Sequence, residues 1–206
     1  MECKRHRKTE NMGAAASEPA STDSKTSASE DFANLLGTEE FCDATLISND
    51  DHEFRIHSAI LAARSVVFKA IMLRLDLREK RDRIVRIEDA DGTVLAETLR
   101  YIYSGKVENL KEIKTPLMAV ARKYMLDGLM DMCVQAMKED INVDNAVESF
   151  TLADLYQIQD LKNCAKDFIR NNVASVVNTP GFKNLKISNS HLLEELYCDL
   201  ASHWKV

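Results

Sequence analysis

Five histidines (His6, His52, His57, His191 and His203) and five cysteines (Cys3, Cys42, Cys133, Cys164 and Cys198) are the side chains of this 206-residue chain best suited to nucleophilic, proton-transfer or metal chemistry. Their spacing supports none of it. No HExxH, no CxxC and no other close set of histidine, cysteine and carboxylate offers a metal its ligands. There is no GxSxG elbow, P-loop or GxGxxG, and six glycines are too few for a glycine-rich phosphate cradle. His57 stands where a strand pattern gives way to a helix pattern, and a histidine bonding local backbone is a simpler account of it than a general base. Asp43, between Cys42 and Ala44 in an apolar strand, needs a partner for its carboxylate. The expectation is a chain with no catalytic residue, metal or cofactor, and not an enzyme.

The elements that position these residues centre on Asp43 to Phe68. Ala44, Leu46 and Ser48 alternate with Thr45, Ile47 and Asn49 at the period of a strand; Asn49-Asp50-Asp51 is a turn cluster, and Glu53 to Ile56 offers a second strand. From His57 the period changes: Ile60, Leu61, Ala63, Val67, Phe68 and Ile71 recur every three or four residues. Phe32, Leu35 and Leu36 make a short helical face ahead of the first strand. Arg74 to Arg86, with six basic and three acidic residues, reads as a solvated loop leading into a strand at Ile84 to Ile87. Asp91 to Tyr103 is amphipathic, and Gly105 follows where a C-terminal cap belongs. Thr115-Pro116 is expected to open another helix, with the proline in its first turn. The methionines from Met118 to Met137 read as core filler. From Val143 the pattern is helical, with Asp144 as N-cap, a turn at Thr179 to Gly181, and a last short helix marked by Leu192, Leu193, Leu196 and Leu200.

Composition bounds the function. With 45% hydrophobic and 29% charged residues the chain is ordinary globular material. A net charge of -6 argues against a nucleic-acid binder. No apolar run approaches the roughly 20 residues of a membrane span, and no apolar segment follows MECKRHRK to make a secretion signal. Irregularly spaced cysteines fit free thiols in a reducing compartment, with Cys42, Cys133 and Cys164 buried as small hydrophobes. Residues 1–31 read as a disordered tail rich in Ala, Ser and Thr. Its Lys4-Arg5-His6-Arg7-Lys8 cluster is either a nuclear import signal or a solvated charged end.

Several motifs in order carry a resemblance: the Asp43 strand, the FxxHxxIL of Phe54, His57, Ile60 and Leu61, the AARSxxF of Ala62 to Phe68, LRYIYSG from Leu99, ARKYML from Ala121, and NAVESFTLADL from Asn145. Together they resemble a BTB (POZ) domain, with wording closest to the speckle-type POZ proteins, over roughly residues 32 to 200. The resemblance implies an α+β fold: a BTB domain over 32–140, with a small, mainly antiparallel sheet and a helical cluster, then a short all-α BACK-like extension over 141–206. It implies dimerisation with itself or with related BTB chains through Phe32, Leu35, Leu36 and Ile60, with Asp43 nearby. It implies, too, a cullin-3 contact on the segment Ile71, Met72 and Leu73. There the family pattern is a hydrophobic residue, any residue, then glutamate; Leu73 stands in the glutamate's place. Residues 1–31 are too short for the MATH domain with which speckle-type proteins capture substrates.

The function so implied is a protein-interaction module: a dimeric adaptor or assembly subunit of a cullin-3 RING ubiquitin ligase that promotes ubiquitination and proteasomal degradation. Two alternatives stand beside it, a nuclear BTB transcriptional co-regulator and a chain without a substrate reader that modulates full-length relatives by mixed dimerisation. The expected location is nucleus, cytoplasm or both.

Overall fold

A computed structural model of the protein describes residues 28–76 and 83–203. The tail with its basic cluster, and Arg78, Lys80 and Arg81, lie outside the described residues.

Strand β1 (Ala44–Ile47) pairs antiparallel with β2 (Glu53–Ile56), setting Leu46 opposite Phe54. On its other side it pairs in parallel with β3 (Ile84–Arg86), Leu46 opposite Val85. The sheet is therefore β2-β1-β3, one antiparallel and one parallel pair. A parallel neighbour needs a crossover, and here it contains helices α2 (Ser58–Arg64) and α3 (Val66–Asp76). Ser65 separates them in an extended conformation. Its hydroxyl donates to the Tyr124 carbonyl at 2.6 Å and accepts from the Phe68 amide at 3.1 Å, so it starts α3 and ties it to the rest of the core. Phe68 then stacks on Tyr124, ring centroids 4.5 Å apart.

Helix α1 (Ala28–Leu35) precedes the sheet and crosses α4 (Gly92–Ser104). Asp91 caps α4 by accepting from the Val94 amide at 2.8 Å, and Gly105 ends it at φ 73°, a left-handed position that glycine occupies without steric cost. Helices α5 (Leu110–Lys123) and α6 (Asp127–Glu139) pack as an antiparallel pair beside it. A side chain at Gly128 would collide with the Tyr101 hydroxyl, which is why the second residue of α6 has no Cβ. Leu46, Ile56, Leu61, Phe68, Leu95, Leu99, Leu117 and Leu129 are fully buried in the resulting core.

A second core lies under α7 (Ala146–Leu155), α8 (Gln159–Asn171), α9 (Val173–Val176), α10 (Pro180–Ser188) and α11 (Ser190–His203). It gathers Val147, Phe150, Ala165, Ile169, Val176, Leu185, Leu192 and Leu196. The two cores share helices: Ala153 of α7 and Leu161 of α8 belong to the first.

Four expectations are corrected. Pro116 lies in the interior of α5, which begins at Leu110; the ring removes the bond that would reach the Glu112 carbonyl, a loss that burial of Leu117, Met118, Val120 and Ala121 offsets. Asp144 does not cap α7: the Asn142 side chain accepts from the amides of Asp144 and Asn145, at 3.0 and 3.2 Å. Thr179 to Gly181 opens α10, with Thr179 accepting from the Phe182 amide at 3.3 Å, and α11 after it spans 14 residues. Met118 and Met137 are core residues, but Met125 adopts a φ of 51° at the end of α5 and turns its side chain outward.

Candidate protein-interaction surfaces

His57 and Asp43 organise the region where α1, α2 and α4 converge. The His57 amide donates to the Tyr103 hydroxyl oxygen at 2.9 Å, and the ring bridges Tyr103 and the Glu40 carbonyl, also at 2.9 Å. A carbonyl only accepts, so Nε2 carries the proton and donates to it, leaving Nδ1 to accept the Tyr103 O–H. One imidazole thus fastens the loop before β1 to the start of α2 and to the last turn of α4. Burial is the main reason the Tyr103 phenol is pushed up to about 12, against the opposing pull of the His57 amide. It is a structural hydrogen-bonding group with no call to ionise.

Asp43 finds the partners its position demands. Its carboxylate accepts from the Ser58 amide at 2.7 Å and the Ser58 hydroxyl at 2.6 Å, and pairs with Arg83 at 2.7 Å. His57, the N-cap by backbone position, makes no side-chain cap to α2, so Asp43 caps that helix from outside it. Burial acts to raise this carboxyl, but the two bonds from Ser58 and the Arg83 charge outweigh it and hold it below the usual aspartate range.

These anchors set the walls of an apolar groove of about 610 Å³. Phe32 of α1 lines it, with Ala59, Ile60, Ala63 and Arg64 of α2 and the last residues of α4 through Gly105. Phe32 is 48% exposed, a large aromatic surface left to water. Phe32 and Ile60 therefore share one groove. Leu35 and Leu36 are half-buried against the core, and Leu36 opens onto separate smaller grooves, one reaching Arg100 and Glu108 and the other β2. Asp43 does not line the groove and is held at the start of α2 by Ser58.

The segment Ile71 to Leu73 divides. Met72 turns inward and is 5% exposed, so it belongs to the core and offers nothing to a partner. Ile71 is half-buried beside β3, and Leu73 is 54% exposed. Of the thiols expected to be buried, Cys133 is, and burial pushes it up to about 12; Cys42 and Cys164 are only half-buried.

Sequence reading passed over Glu97 and Phe41. Glu97 is a carboxylate of α4 only 3% exposed, accepting from the Glu108 amide at 2.9 Å and the Asn109 side chain at 3.1 Å, with Arg100 at 3.4 Å. It holds the turn between α4 and α5. Its one signal was a lone acid inside the apolar run VLAETL. Phe41 is 87% exposed at a φ of 60°, just before β1.

Among the described residues no group of three or more histidine, cysteine or carboxylate side chains is placed to hold a metal, and no helix is long and apolar enough to cross a membrane. Residues 32–141 match the BTB/POZ domain. The chain belongs to the BTB/POZ domain family. Such domains are protein-interaction modules, and the Phe32 and Ile60 groove lies within the matched BTB segment. One curated relative, TD and POZ domain-containing protein 4 of Mus musculus, is 37% identical over 178 residues, covering 85% of this chain and 48% of the relative. The chain thus spans about half the length of that relative. Among solved structures it resembles the BTB domain of zebrafish PATZ1 at a TM-score of 0.46 and 22% identity, over 54% of this chain and 92% of that one. Helices α7 to α11 follow the BTB segment as an all-α extension.

Proposed function

We propose that this chain is a dimeric BTB adaptor or assembly subunit of a cullin-3 RING ubiquitin ligase, promoting ubiquitination and proteasomal degradation of the proteins it binds. The observation that carries the reading is the apolar groove of Phe32 and Ile60 on a BTB domain, a surface suited to a second BTB chain. The motif resemblance to speckle-type POZ proteins supports the ligase assignment and a place in nucleus or cytoplasm. Leu73 bears on partner choice. Losing a charge-assisted hydrogen bond costs about 1.5–3 kcal/mol, or about tenfold to a hundredfold in affinity.

Leu73 also favours a second reading, in which the chain forms mixed dimers with related BTB proteins and modulates them. Calorimetric titration of the purified chain with the N-terminal domain of cullin-3, beside a Leu73→Glu variant, separates the two. Tight binding by the natural chain supports the adaptor. No binding, rescued by the glutamate, supports the mixed-dimer reading. Failure of both proteins to bind overturns the cullin assignment.

A further inference from the structure

Strand β2 is one edge of the sheet, with no strand beyond it among the described residues. The Thr45 amide donates to the Arg83 carbonyl at 2.8 Å, and the Ile47 carbonyl accepts from the Ile87 amide at 2.7 Å. Those two residues of β1 therefore turn their backbone groups toward β3, while the Ser48 amide donates the other way, to the His52 carbonyl at 3.0 Å. Backbone groups alternate sides along a strand. Glu53 and Arg55, opposite Ile47 and Thr45, thus point their N–H and C=O groups away from β1, to the open edge. A groove of about 410 Å³ lies there. Three consecutive residues of β2, Glu53 to Arg55, line it; because successive side chains alternate faces, the groove follows the strand's edge rather than one face of the sheet.

The charges along this edge complement themselves. Set antiparallel to a copy of itself about Phe54, the strand puts Glu53 opposite the copy's Arg55, and Arg55 opposite its Glu53. Both side chains are exposed, and neither has an ion-pair partner among the described residues; Arg55 reaches the Cys42 thiol. The other charges of the groove are Glu39 and Arg100, one of each sign, and Arg100 already pairs with Glu97 and Glu108. Charged residues on an edge ordinarily repel a second strand. Here opposite signs two residues apart give each charge a partner instead. Strand β3, the other edge, lacks this property: Ile84-Val85-Arg86 set against itself leaves each Arg86 opposite Ile84.

We propose that β2 is a self-association edge, on which two copies of this chain pair β2 to β2 antiparallel and join their sheets into one. In that register Glu53 and Arg55 exchange backbone hydrogen bonds and charge with the second copy. The half-buried Phe54 side chains meet at the central non-hydrogen-bonded pair, where side chains come closest. The edge shares no lining residue with the Phe32 and Ile60 groove, and the proposal does not rest on the adaptor reading. A chain using both two-fold contacts would assemble beyond a dimer.

The test is sedimentation equilibrium of the full chain at rising concentration, in the natural background and with Ile60→Lys to remove pairing at the other groove. Glu53→Arg and Arg55→Glu each create two like-charge pairs across the two-fold axis. Each is expected to weaken edge pairing about tenfold or more at low salt, with less effect at high salt. The double reversal is expected to restore pairing, and so is an equimolar mixture of the two single variants, since one then carries two arginines and the other two glutamates. Both positions are exposed, so melting temperature should hold. If Ile60→Lys fails to fold, the natural background serves, where edge pairing is read as mass above the groove dimer. A mass that ignores the single reversals, or a loss that neither the double reversal nor the mixture restores, overturns the proposal. A labelled extended Thr-Val peptide that binds the edge while the chain does not pair there overturns the second copy as its occupant. Mass that responds to the reversals but not to Ile60→Lys leaves this proposal standing and removes the groove contact alone.

Discussion

Tyr103 contributes through satisfaction of buried groups more than through its ring. Its oxygen takes the His57 amide proton while its own proton goes to the imidazole, so Tyr103→Phe leaves two polar groups without partners. A loss of about 1–3 kcal/mol is expected, read as a lower urea midpoint with unchanged m-value. Asp43 acts through pH. Its folded carboxyl is depressed below the ordinary 3.8, so the unfolded chain takes up that proton first as pH falls. The stability it contributes is fully present above that value and disappears as pH drops through the folded value. Asp43→Asn should therefore destabilise the protein at neutral pH and flatten the acid limb below about 4, measured by thermal melts across pH.

At the scale of elements, α11 is docked by charge as well as by Leu192 and Leu196. Lys162, Lys166 and Arg170 of α8 recur every fourth residue and face Glu195 and Asp199 of α11, also four apart. Lys162 is the centre of this ladder: it meets Asp154 of α7 and Glu195 of α11, each at 2.7 Å. Burial works against its charge, yet the bonds from Asp154 and Glu195 prevail and hold the amine above its ordinary value. Lys162→Ala removes the link between α7 and α11, leaving Glu195 with Lys166 at 3.5 Å and Asp154 with His191 at 3.1 Å. Partly exposed pairs are worth about 1 kcal/mol or less, so the expected change is local. Amide exchange over 190–203 should speed up, more at low salt than at high, while α4 and α5 keep their protection.

For the whole molecule, the proposed reading turns on self-association. The groove at Phe32 and Ile60 would be covered by a second BTB chain, and Ile60→Lys would place an unpaired charge in it. Light scattering should then show a shift from dimer toward monomer with the melting curve nearly intact, because Ile60 is only half-buried in the single chain. An unchanged mass would remove Ile60 from the contact. Pairing at the β2 edge and pairing at this groove involve different residues, so the two substitutions Ile60→Lys and Arg55→Glu are expected to act independently.

Local pattern was enough to read the strands around Ala44, the helix change at His57 and the Gly105 cap, because strand alternation, helical period and turn chemistry all act within a few residues. It also singled out Asp43 and His57 as residues in need of partners, without saying which. The partners, Ser58 with Arg83 and Tyr103 with Glu40, come from 15 to 46 positions away and exist only once the chain has folded. The same holds for Met72 and Leu73: adjacent in sequence, they are sent to core and solvent by the 100° step of a helix whose orientation Ser65 and Phe68 fix against Tyr124. Pro116, a helix opener by local rule, became an interior residue because burying α5 outweighed one lost hydrogen bond. Sequence determined the strands at Ala44 and Glu53 and the helical run after His57, because their periods act locally. Tertiary packing alone decided which side chains share a groove, since a surface is a property of residues that the chain brings together from afar.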